Sequence, residues 1–223
     1  MEELTATPAV RVWSSAHANP KGSAMNVKIN ELLQQMLETE LGGVKVYETA
    51  LTCARNQDLR DEWTKYLQQT HRHVEIVQAL MQELGTGEVE MPSRYVVRSI
   101  GQSLVAAMNQ AKTLGDPAGA EIVACECVVF AETKDHQNWQ LLSRCAESAE
   151  GPAAAALLKA CGEVEDEEDE HIYHSKGWCR ELWLQALGLE AVLPPPEEVR
   201  DVKSAAEAAK VEQSRKKAVA ARH

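Results

Sequence analysis

EVEDEEDEHIYH, residues 163–174, is the stretch on which the fold turns. Extended in both directions at spacings of three and four, it carries the stripe Leu157, Cys161, Val164, Glu168, His171, Ser175, Trp178, Leu182. That repeat is one face of an α-helix; a strand would alternate with period two. Seven of the eight residues 163–170 are acidic, so most of the run reads as a solvated face. Glu168 and His171 are different, because they stand inside the apolar stripe. A charged group there costs on the order of several kcal/mol unless something binds it. Like charges at i,i+4 also destabilise a free helix, and a nearby cation would relieve them.

Three more segments repeat the pattern. A helix over roughly 25–54 carries Leu33, Met36, Leu37, Glu40, Val44, Tyr47 and Leu51. Its Gly42 and Gly43 each weaken it by ~1 kcal/mol and either bend it or admit a partner. Arg55 to Asp58 form a short polar turn, which makes the next helix an antiparallel neighbour. That helix, over about 58–84, carries Trp63, Tyr66, Leu67, Thr70, His73, Val77, Leu80 and Leu84, and Gly85 ends it. Gly115-Asp116-Pro117 starts another helix, with Asp as N-cap and Pro in the first turn. It runs to about residue 149 with Ile122, Cys125, Val129, Glu132, His136, Trp139 and Leu142 on one face. Gly151-Pro152 then opens the helix of residues 163–174, which Gly188 closes. Residues 92–113 read as a shorter helix bearing Val97, Ile100, Leu104 and Met108, joining the second and third long helices.

Composition agrees with an all-α chain. Of 223 residues, 44% are hydrophobic but only 4% aromatic, and the bounded alternating runs that mark strands are missing. Residues 1–24 read as an irregular N-terminal segment, 25–190 as the helical domain, and 191–223 as a proline spacer with a charged, Ala-rich tail. The tail lacks an apolar face, which predicts disorder or an exposed helix. A net charge of −11 opposes binding to nucleic acid or an anionic membrane. No run approaches the ~20 apolar residues that span a bilayer. The start, MEELTATPAV, lacks the pattern of a signal peptide. A soluble, cytoplasmic protein is the expectation. Six cysteines form no C-x-x-C pair, so they read as buried thiols rather than a zinc ribbon or rubredoxin-like site.

Two helical hairpins joined by a crossover, with ionisable residues on four core stripes, resemble the ferritin-like superfamily over residues 25–187. Glu40 is followed seven residues later by Tyr47, as in the first helix of that superfamily. Glu168-x-x-His171 matches its Glu-x-x-His motif, and Glu132 precedes Glu168 by 36 residues, close to the spacing in rubrerythrin-like proteins. His73 falls at about the level of Glu40. The resemblance implies an up-down four-helix bundle with a helical crossover. It implies metal ligands Glu40, His73, Glu132, Glu168 and His171; His136, one turn after Glu132 on the same stripe, stands as an added ligand. It implies iron or manganese, as one or two ions, with zinc as an adventitious occupant. It further implies a small-molecule oxidant or substrate, with reduction of peroxide or dioxygen, and, by analogy, a homodimer. Tyr47 would hydrogen-bond a ligand or supply an electron. Carboxylates and imidazoles are the donors that suit these metals.

One position departs. The carboxylate expected three residues before His73 is Thr70. That leaves three carboxylates and two histidines, and with them two ions in altered geometry, one ion, or none. His71 stands as the alternative to His73, and Glu126 as the alternative to Glu132. His136 reads equally as a hydrogen-bonding core residue, while His174 and Glu165 read as surface or outlying residues. The competing reading is a non-enzymatic helical module that has lost its site, in which Glu40 pairs with His73, and Glu132 or Glu168 pairs with His136 or His171. Iron storage is disfavoured by the polar tail, and classical rubrerythrin by the lack of cysteine pairs.

Overall fold

The computed structural model describes the backbone of residues 20–220 and the side chains of residues 27–215. The described residues are all-helical: α1 (Pro20–Leu51), α2 (Gln57–Glu83), α3 (Pro92–Thr113), α4 (Pro117–Ser148), α5 (Gly151–Ala186), α6 (Pro196–Val199) and α7 (Ala205–Ala220). None of them is long and apolar enough to cross a membrane.

Local chemistry sets the boundaries. Asn56 caps α2, its side chain accepting from the Asp58 and Leu59 N–H groups. Asp116 caps α4 at Ala118, with Pro117 in the first turn, as the sequence predicts. The crossover helix spans the expected residues. Two boundaries differ from expectation. Residues 20–24 belong to α1, because proline is well tolerated in a first turn; residues 1–19 of the expected irregular segment lie outside the described residues. At its other end α1 stops at Leu51, which puts Cys53 in the turn rather than in a helix.

α1 packs on α2 and α4, α5 packs on α4 and α2, and α3 lies against α1 and α4. The close approach of α3 uses two glycines, since a Cβ on Gly101 would lie 3.7 Å from the Gly42 Cα. Gly43 in turn faces the Thr70 methyl, 3.3 Å from where its own Cβ would be. Gly42 and Gly43 therefore serve neighbours within the chain. Arg94 and Arg98 of α3 hold Glu38 of α1, with Nη2 distances of 3.0 and 2.8 Å to Glu38 Oε2. The Arg98 hydrogen bond, followed by that of Arg94, outweighs burial and lowers the Glu38 pKa.

The core has two apolar halves. One holds Val46, Tyr47, Trp63, Tyr66, Met108, Val128 and Trp178. The other holds Leu33, Met36, Leu37, Val77, Leu80, Leu142, Leu157 and Val164. Between them, on each of α1, α2, α4 and α5, the stripe becomes polar.

The tail differs most from expectation, since it docks on α5. Glu197 is buried and receives Arg180 at 2.7 and 2.8 Å, and it lies so close to α5 that a Cβ on Gly177 would fall 2.7 Å from its Oε2. Arg215 of α7 reaches the fully buried Glu181 at 2.5 Å, and Val202 and Val211 are buried. Charge pairing, which a hydropathy stripe does not register, anchors this segment.

The α1–α2 turn depends on a carboxylate from another helix. Glu121 Oε1, buried on α4, accepts the Arg55 and Asn56 N–H groups at 2.6 and 2.7 Å. Glu121→Ala leaves two donors without that acceptor and should lower unfolding free energy by about 1–3 kcal/mol in urea titration. A loss below about 0.5 kcal/mol would show that water replaces the carboxylate.

Candidate metal centre

The polar layer takes Glu40 from α1, His73 from α2, Glu132 and Asp135 from α4, and Glu168 and His171 from α5. All six are buried, the most exposed being Asp135 at 4%. Each sits inside a long helix, so its backbone is fixed by intrahelical hydrogen bonds.

Their ligand-type atoms converge as two trios. Glu40, His73 and Glu168 offer atoms all within 4.8 Å of one another, and so do Glu132, Glu168 and His171. Glu168 belongs to both. His73 Nδ1 lies 3.0 Å from Glu168 Oε1 and 3.8 Å from Glu40 Oε2. His171 Nδ1 lies 3.5 Å from Glu132 Oε2 and 3.8 Å from Glu168 Oε1. Few of these approaches are hydrogen bonds. Both Nδ1 atoms, Glu40 Oε2, Glu132 Oε2, Asp135 Oδ1 and Glu168 Oε2 are buried without a hydrogen-bond partner. Such groups are rare in folded proteins and call for an explanation.

The outer nitrogens are, by contrast, well held. His73 Nε2 is 2.9 Å from Glu167 Oε2, and His171 Nε2 is 3.0 Å from Gln69 Oε1. Arg72 backs Glu167 from the surface. An acceptor on Nε2 keeps the proton there and turns the Nδ1 lone pair inward, which is how a metal-binding imidazole is oriented. Glu40 is steadied in the same manner, as Trp139 Nε1 donates to its Oε1 at 2.8 Å.

Five of the six expected ligands thus meet in this layer. His136 does not. Its Nε2 lies 2.6 Å from Asp169 Oδ1 and it belongs to neither trio, so it is corrected from added ligand to a hydrogen-bonding residue beside the layer. The residue that sequence reasoning missed is its neighbour Asp135, which forms Glu132-x-x-Asp135 and lies near enough to Glu40 for its charge to raise the Glu40 pKa. Asp135 restores a fourth carboxylate. Thr70 takes no part, since its hydroxyl donates to the Tyr66 carbonyl at 2.9 Å. The alternatives fall away from the layer: His71 and Glu165 are exposed, and Glu126 accepts from Trp183 at the surface. His174, expected at the surface or as an outlying residue, is 2% exposed. Tyr47 is buried beside Glu132 with its hydroxyl unpartnered, and burial followed by the Glu132 charge holds its pKa well above the ordinary phenol value.

Charge governs the metal-free layer. Burial, then Asp135 and Glu168, raises the Glu40 pKa well above its usual value. Burial, then Asp135 and Glu132, does the same to Glu168. Asp135 is pushed up to about 7 by burial and by Glu132. At His73 burial acts downward, but the Glu167 hydrogen bond and the Glu40 charge outweigh it and the pKa rises. Burial opposes the charged form of Glu167 too, yet the His73 and Arg72 hydrogen bonds bring it down to about 2. Without a cation, protons do the neutralising.

No family model, curated protein or solved structure matches the chain.

Raised acids fix the sign of a pH effect. The folded chain retains protons on Asp135 that the unfolded chain releases near the ordinary value of 3.8, so stability falls as pH rises towards about 7. His73, raised above 6.5, acts in the same direction, because its stabilisation is lost as pH rises through the folded value. Glu167 acts oppositely, but only as pH falls from 4.5 through about 2. Chelator-treated protein should therefore melt at a higher temperature near pH 5 than near pH 8. A melting temperature that rises over that interval contradicts this electrostatic account.

Proposed function

We propose that the chain is a ferritin-like four-helix bundle that binds two transition-metal ions, iron or manganese, in its polar core layer. The observation that carries this is the pair of trios sharing Glu168, in which each histidine presents a buried Nδ1 with no hydrogen-bond partner. Glu40 and His73 would hold one ion, Glu132 and His171 the other, with Glu168 between them. Four carboxylates balance two divalent cations, and Asp135 supplies the charge that Thr70 does not. The donor set, carboxylate oxygen with imidazole nitrogen, suits iron and manganese and also accepts zinc.

When bound, iron or manganese would supply redox chemistry, either reducing peroxide or dioxygen or oxidising a small substrate. The chain's own contribution is to orient and exclude. The two apolar halves keep bulk water from the layer. Gln69 and Glu167 fix the imidazoles, and Trp139 fixes Glu40. The free hydroxyl of Tyr47 can donate a hydrogen bond to an oxidant at the Glu132 side of the layer.

Thr70 favours the competing reading, a helical module that has lost its site. That reading requires the polar core residues to satisfy one another, whereas inward atoms of Glu40, Glu132, Glu168 and both histidines are unpartnered.

Protein purified without chelator should contain about two ions per chain by elemental analysis, with iron or manganese dominant. Glu168→Gln should remove both, because both trios use it. Metal added to stripped protein should raise stability by about 2.7 kcal/mol at one hundred times the dissociation constant. Wild-type protein without bound iron, manganese or zinc, and with a melting temperature indifferent to added metal, would sink the proposal.

A further inference from the structure

A second group of ligand-type side chains lies away from the core layer, where the docked C-terminal segment meets α2 and α5. Glu170, His174 and Asp201 offer atoms within 4.8 Å of one another. They border a solvent-facing cleft of about 390 Å³ that Asp58, Asp61 and Glu198 also line. Acidic clefts are common and carry nothing alone. Here the histidine adds an independent observation. His174 is 2% exposed, and its Nδ1 is engaged 2.7 Å from Glu62 Oε1. Glu62 is held in turn by the Tyr66 hydroxyl at 2.6 Å and by Trp178 Nε1. The other nitrogen, Nε2, is buried with no hydrogen-bond partner. A carboxylate behind one imidazole nitrogen and nothing on the other is the arrangement of a metal ligand.

We infer that Glu170, His174 and Asp201 form a second site, at the cleft surface, for one divalent transition-metal ion. The imidazole selects a transition metal over calcium or magnesium, and the absence of a thiolate from the trio argues against copper(I). Two lysines attend the carboxylates, Lys65 on Glu170 and Lys203 at 3.4 Å from Asp201. Both are substantially exposed, at 51% and 40%, so they can swing into water when a cation arrives. Glu198 Oε2, buried and unpartnered at the cleft, offers a further donor. The site joins three elements: His174 and Glu170 come from α5, Asp201 follows α6, and the supporting Glu62 comes from α2. It does not rest on the core-layer reading.

The test is calorimetric titration of chelator-stripped, full-length protein with zinc(II), comparing wild type, Asp201→Asn, His174→Ala and Glu168→Gln. Asn suits the backbone at position 201, where φ is 51°, a region that Asn and Asp tolerate. Asp201→Asn should weaken one ion per chain by about 10–100-fold or more, since even the outer partners of a ligand cost that much. His174→Ala should abolish the same ion, and Glu168→Gln should leave it intact. If the core layer binds nothing, wild type shows only the ion that Asp201→Asn weakens, and the cleft site still stands. Asp201→Asn and His174→Ala titrating indistinguishably from wild type would overturn it. Should His174→Ala lose helix content through Glu62, Asp201→Asn decides alone.

Discussion

Everything in this chain is arranged around the need to neutralise four carboxylates at one level of a helical core. Glu40, Glu132, Asp135 and Glu168 share a layer that two apolar halves close off from above and below. Ionised and unpaired, such groups would oppose folding by far more than a domain's net stability. Only two inward-facing imidazoles stand among them. Protons or metal ions must supply the remaining positive charge.

The surrounding structure makes that layer possible. Long helices deliver the layer's side chains from mid-helix positions, so none of them depends on a loop. The α1–α2 turn is tied by Glu121, α3 is pinned to α1 by Glu38, and the C-terminal segment is clasped by Glu181 and Glu197. In each of these cases a buried or nearly buried carboxylate has found its donors. Against that background the unpartnered oxygens of the core layer stand out, because Glu38, Glu121, Glu181 and Glu197 all have donors.

Much of this could be read from sequence. The order of the long helices, the helix over residues 92–113 and five of the buried ionisable residues of the core layer followed from spacing, because an apolar stripe interrupted by Glu or His is a local, periodic signal. Asp135 was missed for a reason intrinsic to that signal. From Glu132, steps of three and four both stay on one face, and the stripe was drawn through the step of four, to His136, which leaves out Asp135. Packing of α4 against α5 brings His136 to Asp169 instead. His174 lies off the stripe of His171, Ser175 and Trp178, so hydropathy gave no sign of its burial. The docking of the tail was illegible because it rests on pairs such as Arg215 with Glu181, separated by 34 residues and invisible to hydropathy.

The shared position of Glu168 has a further consequence. In the proposed pair of ions this one carboxylate must lose its proton before either trio is complete. Its deprotonation is therefore common to both binding events, and the first ion bears the cost for the second. Loading should be cooperative, passing from empty to doubly filled with little of the singly filled form. Mildly acidic conditions would withdraw both ions together rather than one at a time.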